Sequence, residues 1–187
     1  MDVFAHGLWA GAASKAGNIK IFRKKPLKTW RMVVFGVFPD VFAFGPAFIY
    51  MFASFIFPSI PKIEHPGPSH MEPATGNGLI IMNLTHNLYN YSHSLSLFFL
   101  VFGLIWLIFR RPVWEMLGWI LHIIMDIPSH SYDFYPTPFL WPFSDFKING
   151  VHWGTPWFII TNYSLIILVY LVIYLVKRHK NLTKSKA

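Results

Sequence analysis

The chain has 187 residues, of which 54% are hydrophobic, 19% aromatic and only 13% charged, against about 25% charged in an average soluble domain. Its formal net charge is +8, but the charges sit at the edges of apolar runs rather than across a polar face, so a nucleic-acid partner is not expected. It contains no cysteine, which excludes a disulfide framework, a thiolate metal site and a nucleophilic thiol.

Three stretches are long and nearly free of charge: 33–57 with one charge in 25 residues, 73–109 with none in 37, and 148–176 with none in 29. Each exceeds the ~20 residues that cross a bilayer core. Fourteen of the 16 Lys and Arg fall in three patches, between Lys15 and Arg31, at Arg110-Arg111, and between Lys177 and Lys186. The positive-inside rule makes those patches cytoplasmic. The expected class is an all-α polytopic membrane helical bundle, a single integral membrane domain over 1–187, in an inner or plasma membrane.

In chain order, residues 3–14 predict a short apolar helix whose Gly7, Gly11, Ala10 and Ser14 form a small-residue face that another helix can approach closely. His6, four residues before Ala10, shares that face. The apolar stretch precedes the first basic residues and follows Asp2, a pattern unlike a cleaved signal peptide. From Arg31 the chain runs outward to about Pro58, with a kink or break expected around Asp40 because Pro39 and Gly45-Pro46 interrupt the helix. Residues 58–76, rich in Pro and polar side chains, read as an external loop. The return run, Leu79 to Phe109, is too long for one straight crossing and reads as one helix or two. Residues 113–126 pass outward again until Pro128, and 127–154 form an aromatic, Pro-rich outer segment. Residues 155–176 make the last span before the basic tail. The total is about four membrane segments plus the N-terminal helix.

An ionisable side chain within an apolar segment costs ~2.5–3.5 kcal/mol on insertion scales and is a functional candidate by default. Asp40, His93, His122 and Asp126 are of this kind. His122 and Asp126 are four apart, so both leave one helix face a turn from each other. Imidazole nitrogen and carboxylate oxygen together suit zinc, with manganese or iron as alternatives. Each residue also has a plain reading: an intrahelical contact for the His122–Asp126 pair, packing for His6, a helix cap for Asp40, a polar helix start for His93. Their number shifts the balance, because two carboxylates and three imidazoles in apolar stretches are costly unless they share an ion. Counted at ~1.5 Å per residue from the nearest basic patch, the four spanning-segment residues lie within ~12 Å of depth of one another. His86, seven residues before His93, is a weaker second candidate. His130 would extend the His122, Asp126 row but for Pro128. His65, His70, His152 and His179 fall in loops, interface or tail, and most are expected to be solvated.

His6-Gly7, Pro39-Asp40, Ser92-His93-Ser94, and the run from Gly118 to Asp126 followed by Leu140-Trp141-Pro142-Phe143 occur in an order that resembles the YdjM-like inner-membrane proteins, a family of membrane-bound metal-dependent hydrolases. The likeness covers roughly residues 1–145. It implies metal-ligand roles for His6, Asp40, His93, His122 and Asp126, and a distant relation to zinc-dependent phospholipases and nucleases of helical fold, hence phosphoester substrates. The chain departs from the family pattern at Phe42 and Ala43, where members often continue with Asp or His, and at Leu88, where they often carry a further histidine. These departures remove ligands that a second ion would use.

The resulting expectation is a membrane-embedded metal-dependent hydrolase that acts on a phosphoester of a lipid or lipid-linked substrate, with Asp133, just past the helix, as candidate general base. An exposed loop carboxylate is the plainer reading of Asp133. Tyr132, Phe134, Tyr135, Phe139, Trp141, Phe143 and Trp153 are expected at headgroup level. A small transporter or ion- and proton-binding bundle is the alternative, and a bis-histidine haem protein a third.

Overall fold

The computed structural model describes residues 1–60 and 80–184. The loop expected over 58–76 lies almost wholly outside them, as do His65 and His70. Six helices follow in order: α1 (Val3–Lys20), α2 (Thr29–Ile56), α3 (Ile80–Ser92), α4 (Leu95–Phe109), α5 (Leu117–Ser129), which follows a 3-10 turn at Trp114–Met116, and α6 (Pro156–Lys184). Among the described residues there is no β-strand, so the chain is all-helical.

Helices α2 and α6 are each long and apolar enough to cross a membrane, with mean hydropathies of 1.8 and 2.3. Helices α3 and α4 satisfy the same test only as a pair, bent by 65° at the break between them. The run from Leu79 is therefore two helices, parted at His93. The fourth pass expected over 113–126 supplies only the 13 residues of α5, about 20 Å of helix. That is short of the ~30 Å hydrocarbon core.

Two expectations about helix ends need correction. The N-terminal helix does not stop at Ser14 but continues to Lys20, capped at its start by Asp2, whose side chain accepts from Ala5 N at 3.0 Å. Nor does the chain break at Asp40, since α2 is helical through both Pro39 and Pro46. Proline inside a buried helix is tolerated where neighbours satisfy the backbone groups it frees. The Gly36 carbonyl of α2 accepts from His122 Nδ1 at 2.7 Å.

Helix α2 is the hub and packs against α1, α3 and α5, while α6 leans on α1. The small-residue face of α1 works as its spacing predicts. A Cβ at Gly7 would stand 3.1 Å from Val37, and one at Gly11 would stand 2.7 Å from the Tyr170 hydroxyl. The closest approach is between α5 and α2, where a Cβ on Gly118 would fall 2.2 Å from the Met32 carbonyl oxygen. Such contact between helix backbones draws the inward faces of α1, α2 and α5 together. Three polar contacts tie α1 to α6: Trp9 Nε1 donates to Asn162 Oδ1 (2.9 Å), Tyr163 Oη to Asp2 Oδ1 (2.9 Å), and Tyr170 Oη to the Leu8 carbonyl (3.0 Å).

Candidate metal centre

Three segments deliver the polar side chains to one place in the bundle. Asp40 comes from the middle of α2, His122 and Asp126 from one face of α5, and His93 from the break between α3 and α4. That break is built locally. Ser94 caps α4 by accepting from Leu97 N at 3.2 Å, Leu95 N donates to the Phe139 carbonyl at 3.0 Å, and Trp119 Nε1 donates to the Ser92 carbonyl at 2.6 Å. The outer segment and α5 thus hold the turn that aims His93 inward. Exposure is 4% for Asp40, 0% for His93, 1% for His122 and 0% for Asp126.

One ligand atom from each of these four residues lies within 4.8 Å of the other three, so the group can hold a metal ion. His122 Nε2 is 3.0 Å from Asp126 Oδ2 and 3.7 Å from Asp40 Oδ1; His93 Nε2 is 3.4 Å and 3.6 Å from the same two atoms; the two Nε2 atoms are 3.0 Å apart. A tetrahedral ion with bonds of about 2.0–2.2 Å sets its ligands about 3.3–3.6 Å from one another. The observed separations bracket that range.

The far sides of the two imidazoles meet backbone carbonyls. His122 Nδ1 meets the Gly36 carbonyl at 2.7 Å and His93 Nδ1 meets the Tyr89 carbonyl at 3.2 Å. A carbonyl only accepts, so His122 Nδ1 is assigned the proton and its Nε2 presents a lone pair; His93 Nδ1 lies nearer to the Ser92 hydroxyl, at 2.9 Å, which can donate or accept. The two Nε2 atoms face each other at 3.0 Å, a separation satisfied either by a proton shared between them or by a cation that both ligate. A backbone carbonyl behind a ligating histidine is also the usual arrangement of a metal centre, because it fixes the ring and raises its basicity.

His6, expected in the same ligand set, stands beside the group rather than within it. It is 2% exposed, its ring stacks on His122 with centroids 3.6 Å apart, and its Nε2 is 2.9 Å from Asp126 Oδ1, the oxygen turned away from His93 and His122. His6 Nδ1 and Asp40 Oδ2 make no hydrogen bond. Buried polar atoms left without partners are rare in native proteins and call for a ligand.

Asp133 lies exposed on the outer segment, outside the four-residue group. His86 is partly buried and makes a 3.3 Å contact with Asn90 Nδ2, and His179 is exposed. His152 is half-buried against Phe134 and Trp153.

Two residues join the centre that sequence reasoning undervalued or missed. Helix α5 is not stopped by Pro128, so His130 at its end stays in the row with His122 and Asp126. It is 3% exposed, and its Nε2 is 3.5 Å from Asp126 Oδ1 and 2.8 Å from the Met1 amino nitrogen, which also contacts Asp126. Tyr89 sits one helical turn before His93 and stacks on it at 3.8 Å. Its hydroxyl donates to the Tyr135 carbonyl at 2.8 Å and lies 3.0 Å from His130 Nδ1. Tyr135 takes a left-handed backbone, φ 42°, and its carbonyl also accepts from His130 Nδ1 at 2.8 Å. Tyr135, at 2% exposure, belongs to the interior rather than to the headgroup layer expected for the outer aromatics, whereas Phe143 is 86% exposed. No family model, curated protein or solved structure matches the chain.

Proposed function

We propose that the chain is a membrane-embedded metal-dependent hydrolase of the YdjM-like kind, in which His93, His122, Asp126 and Asp40 hold one zinc ion and the substrate is a phosphoester of a lipid or lipid-linked molecule. The observation that carries the metal reading is the convergence of the His93 and His122 Nε2 atoms, 3.0 Å apart, with two buried carboxylates. A divalent ion in such a position supplies Lewis acidity and lowers the pKa of water bound to it. Asp40 is the group best placed to exchange its position for water: it is the most exposed of the four, it stands farther from both imidazoles than Asp126 does, and its Oδ2 has no hydrogen-bond partner. His6 and His130 hold the outer oxygen of Asp126 and keep its other oxygen turned toward His93 and His122. By the positive-inside rule the basic ends of the helices face the cytoplasm.

The test is hydrolysis of a chromogenic phosphodiester and of a lipid phosphomonoester by the zinc-loaded protein in detergent. Asp40→Asn is expected to keep the ion and lose turnover, while His122→Ala loses both. Turnover unaffected by His122→Ala would overturn the hydrolase reading. One observation favours a second reading, a bundle that carries or transports an ion: four protein ligands, none more than 4% exposed, enclose one position, as closed rather than catalytic zinc sites do. Ion-dependent zinc flux into proteoliposomes, with no turnover of either ester, would select it.

A further inference from the structure

We propose that the basic end of the bundle holds a separate binding site for a phosphate ester, the head-group phosphate of an anionic lipid, between the end of α1 and the end of α6. A cavity of about 390 Å3 lies there, lined by Asn18, Arg23, Lys177, Lys180, Asn181 and Thr183 among others. It is remote from the metal centre, since Asn18 is twelve residues past His6 on α1, about 18 Å along the helix.

The local chain is built to keep Arg23 over this cavity. Helix α1 closes with the Ile21 and Phe22 amides both bonded to the Gly17 carbonyl. The Asn18 side chain then clamps the following loop from both sides, accepting from Leu27 N at 2.8 Å and donating to the Leu27 carbonyl at 3.0 Å. On the other wall, Lys177 and Lys180 are three apart and share a face of α6. Lys15, one turn before Asn18, is fixed over the Tyr170 ring at 4.7 Å, which ties the two helices together near the cavity.

Charge and position specify the ligand. Every ion pair among the described residues is made by a histidine or the amino terminus, so Arg23, Lys177 and Lys180 face the cavity with no carboxylate to neutralise them. Three uncompensated cations with an adjacent Asn amide fit a phosphate, to which Arg binds by paired N–H groups and Lys as a point charge. Lys177 is the first charge after 29 residues of α6 and its lead-in without one, so the cavity stands where hydrocarbon gives way to head groups. On the side toward the membrane, α6 exposes Leu171 (50%), Tyr174 (59%) and Leu175 (50%), a surface on which acyl chains can lie. Basic pockets between spanning helices are a known form of anionic-lipid site.

Native mass spectrometry of the full chain, delipidated in detergent and titrated with phosphatidylglycerol or phosphatidylcholine, tests the site. The wild type is expected to retain phosphatidylglycerol preferentially. The triple variant Arg23→Gln, Lys177→Gln, Lys180→Gln should lose about tenfold in that affinity, and the equally discharged control Lys24→Gln, Lys25→Gln, Arg111→Gln no more than about twofold. All six positions are exposed, so both variants are expected to fold and to keep the metal content of the wild type. Glycerol 3-phosphate is the arm that separates the sources: failure to displace the lipid supports a head-group site, and full displacement without lipid preference assigns the same phosphate seat to a soluble ester. Equal losses in both triple variants, or no phosphate compound bound by the wild type, would overturn the proposal.

Discussion

Gly118→Ala is a one-carbon change that should damage the metal centre without touching a ligand. The added Cβ would lie 2.2 Å from the Met32 carbonyl oxygen and 2.9 Å from Gly36 N, both backbone atoms of α2 that cannot rotate away. Restoring ordinary contact at 3.4 Å requires α5 and α2 to part by about 1.2 Å at that level. His122 is one turn further along α5, and its Nδ1 would move from 2.7 Å to about 3.9 Å from the Gly36 carbonyl if the helices separate evenly, beyond hydrogen-bonding reach. Overpacking costs about 1–3 kcal/mol and the lost hydrogen bond about 1 kcal/mol more. Losing the group that orients a ligating histidine typically lowers metal affinity about 10–100-fold. Zinc affinity by chelator competition and thermal unfolding in detergent read the two effects. Gly103→Ala is the control, because a Cβ there meets nothing within 4 Å. Wild-type affinity and melting in Gly118→Ala would refute the claim that the contact between α5 and α2 positions His122.

Asp126→Ala should abolish metal binding and also lower stability, since it strips the shared partner from His6, His93, His122 and His130; unchanged thermal unfolding would contradict this. His179→Ala, at an exposed position on α6, should change neither metal content nor melting. Tyr89→Phe removes the hydroxyl joining His130 to the Tyr135 carbonyl, with an expected loss of about 0.5–1.5 kcal/mol, measured by denaturant unfolding. Cysteines at Ser69 and Ser185 should label from opposite sides of the membrane, and labelling from one side would defeat the positive-inside topology.

Much of the centre was legible because hydrocarbon makes buried charge expensive. Asp40, His93, His122 and Asp126 stood out against apolar runs, and the four-residue spacing put two of them on one face. The break at His93 was half visible, in a run too long for one crossing and a Ser-His-Ser at the point where α4 begins. What failed was the reading of proline. Pro39 reads as a kink or break and Pro128 as a stop, yet α2 and α5 stay helical through them, because the packing that tolerates a missing backbone bond is set by tertiary neighbours. His130 was set aside for that reason. His6 shows the opposite limit: its face was legible, but which oxygen of Asp126 it meets depends on how α1 crosses α5, and no local pattern encodes that crossing. Tyr89 lay hidden as one aromatic among many, with its turn-spacing from His93 as the only signal.

The central claim is that His93 and His122 face each other across a metal ion. The direct measurement is metal content by elemental analysis of the detergent-purified wild type and His122→Ala, each dialysed against a weak chelator. The account predicts one divalent ion per chain, zinc, in the wild type and none in the variant. A folded wild type that carries no metal and takes up none when zinc is added would contradict it.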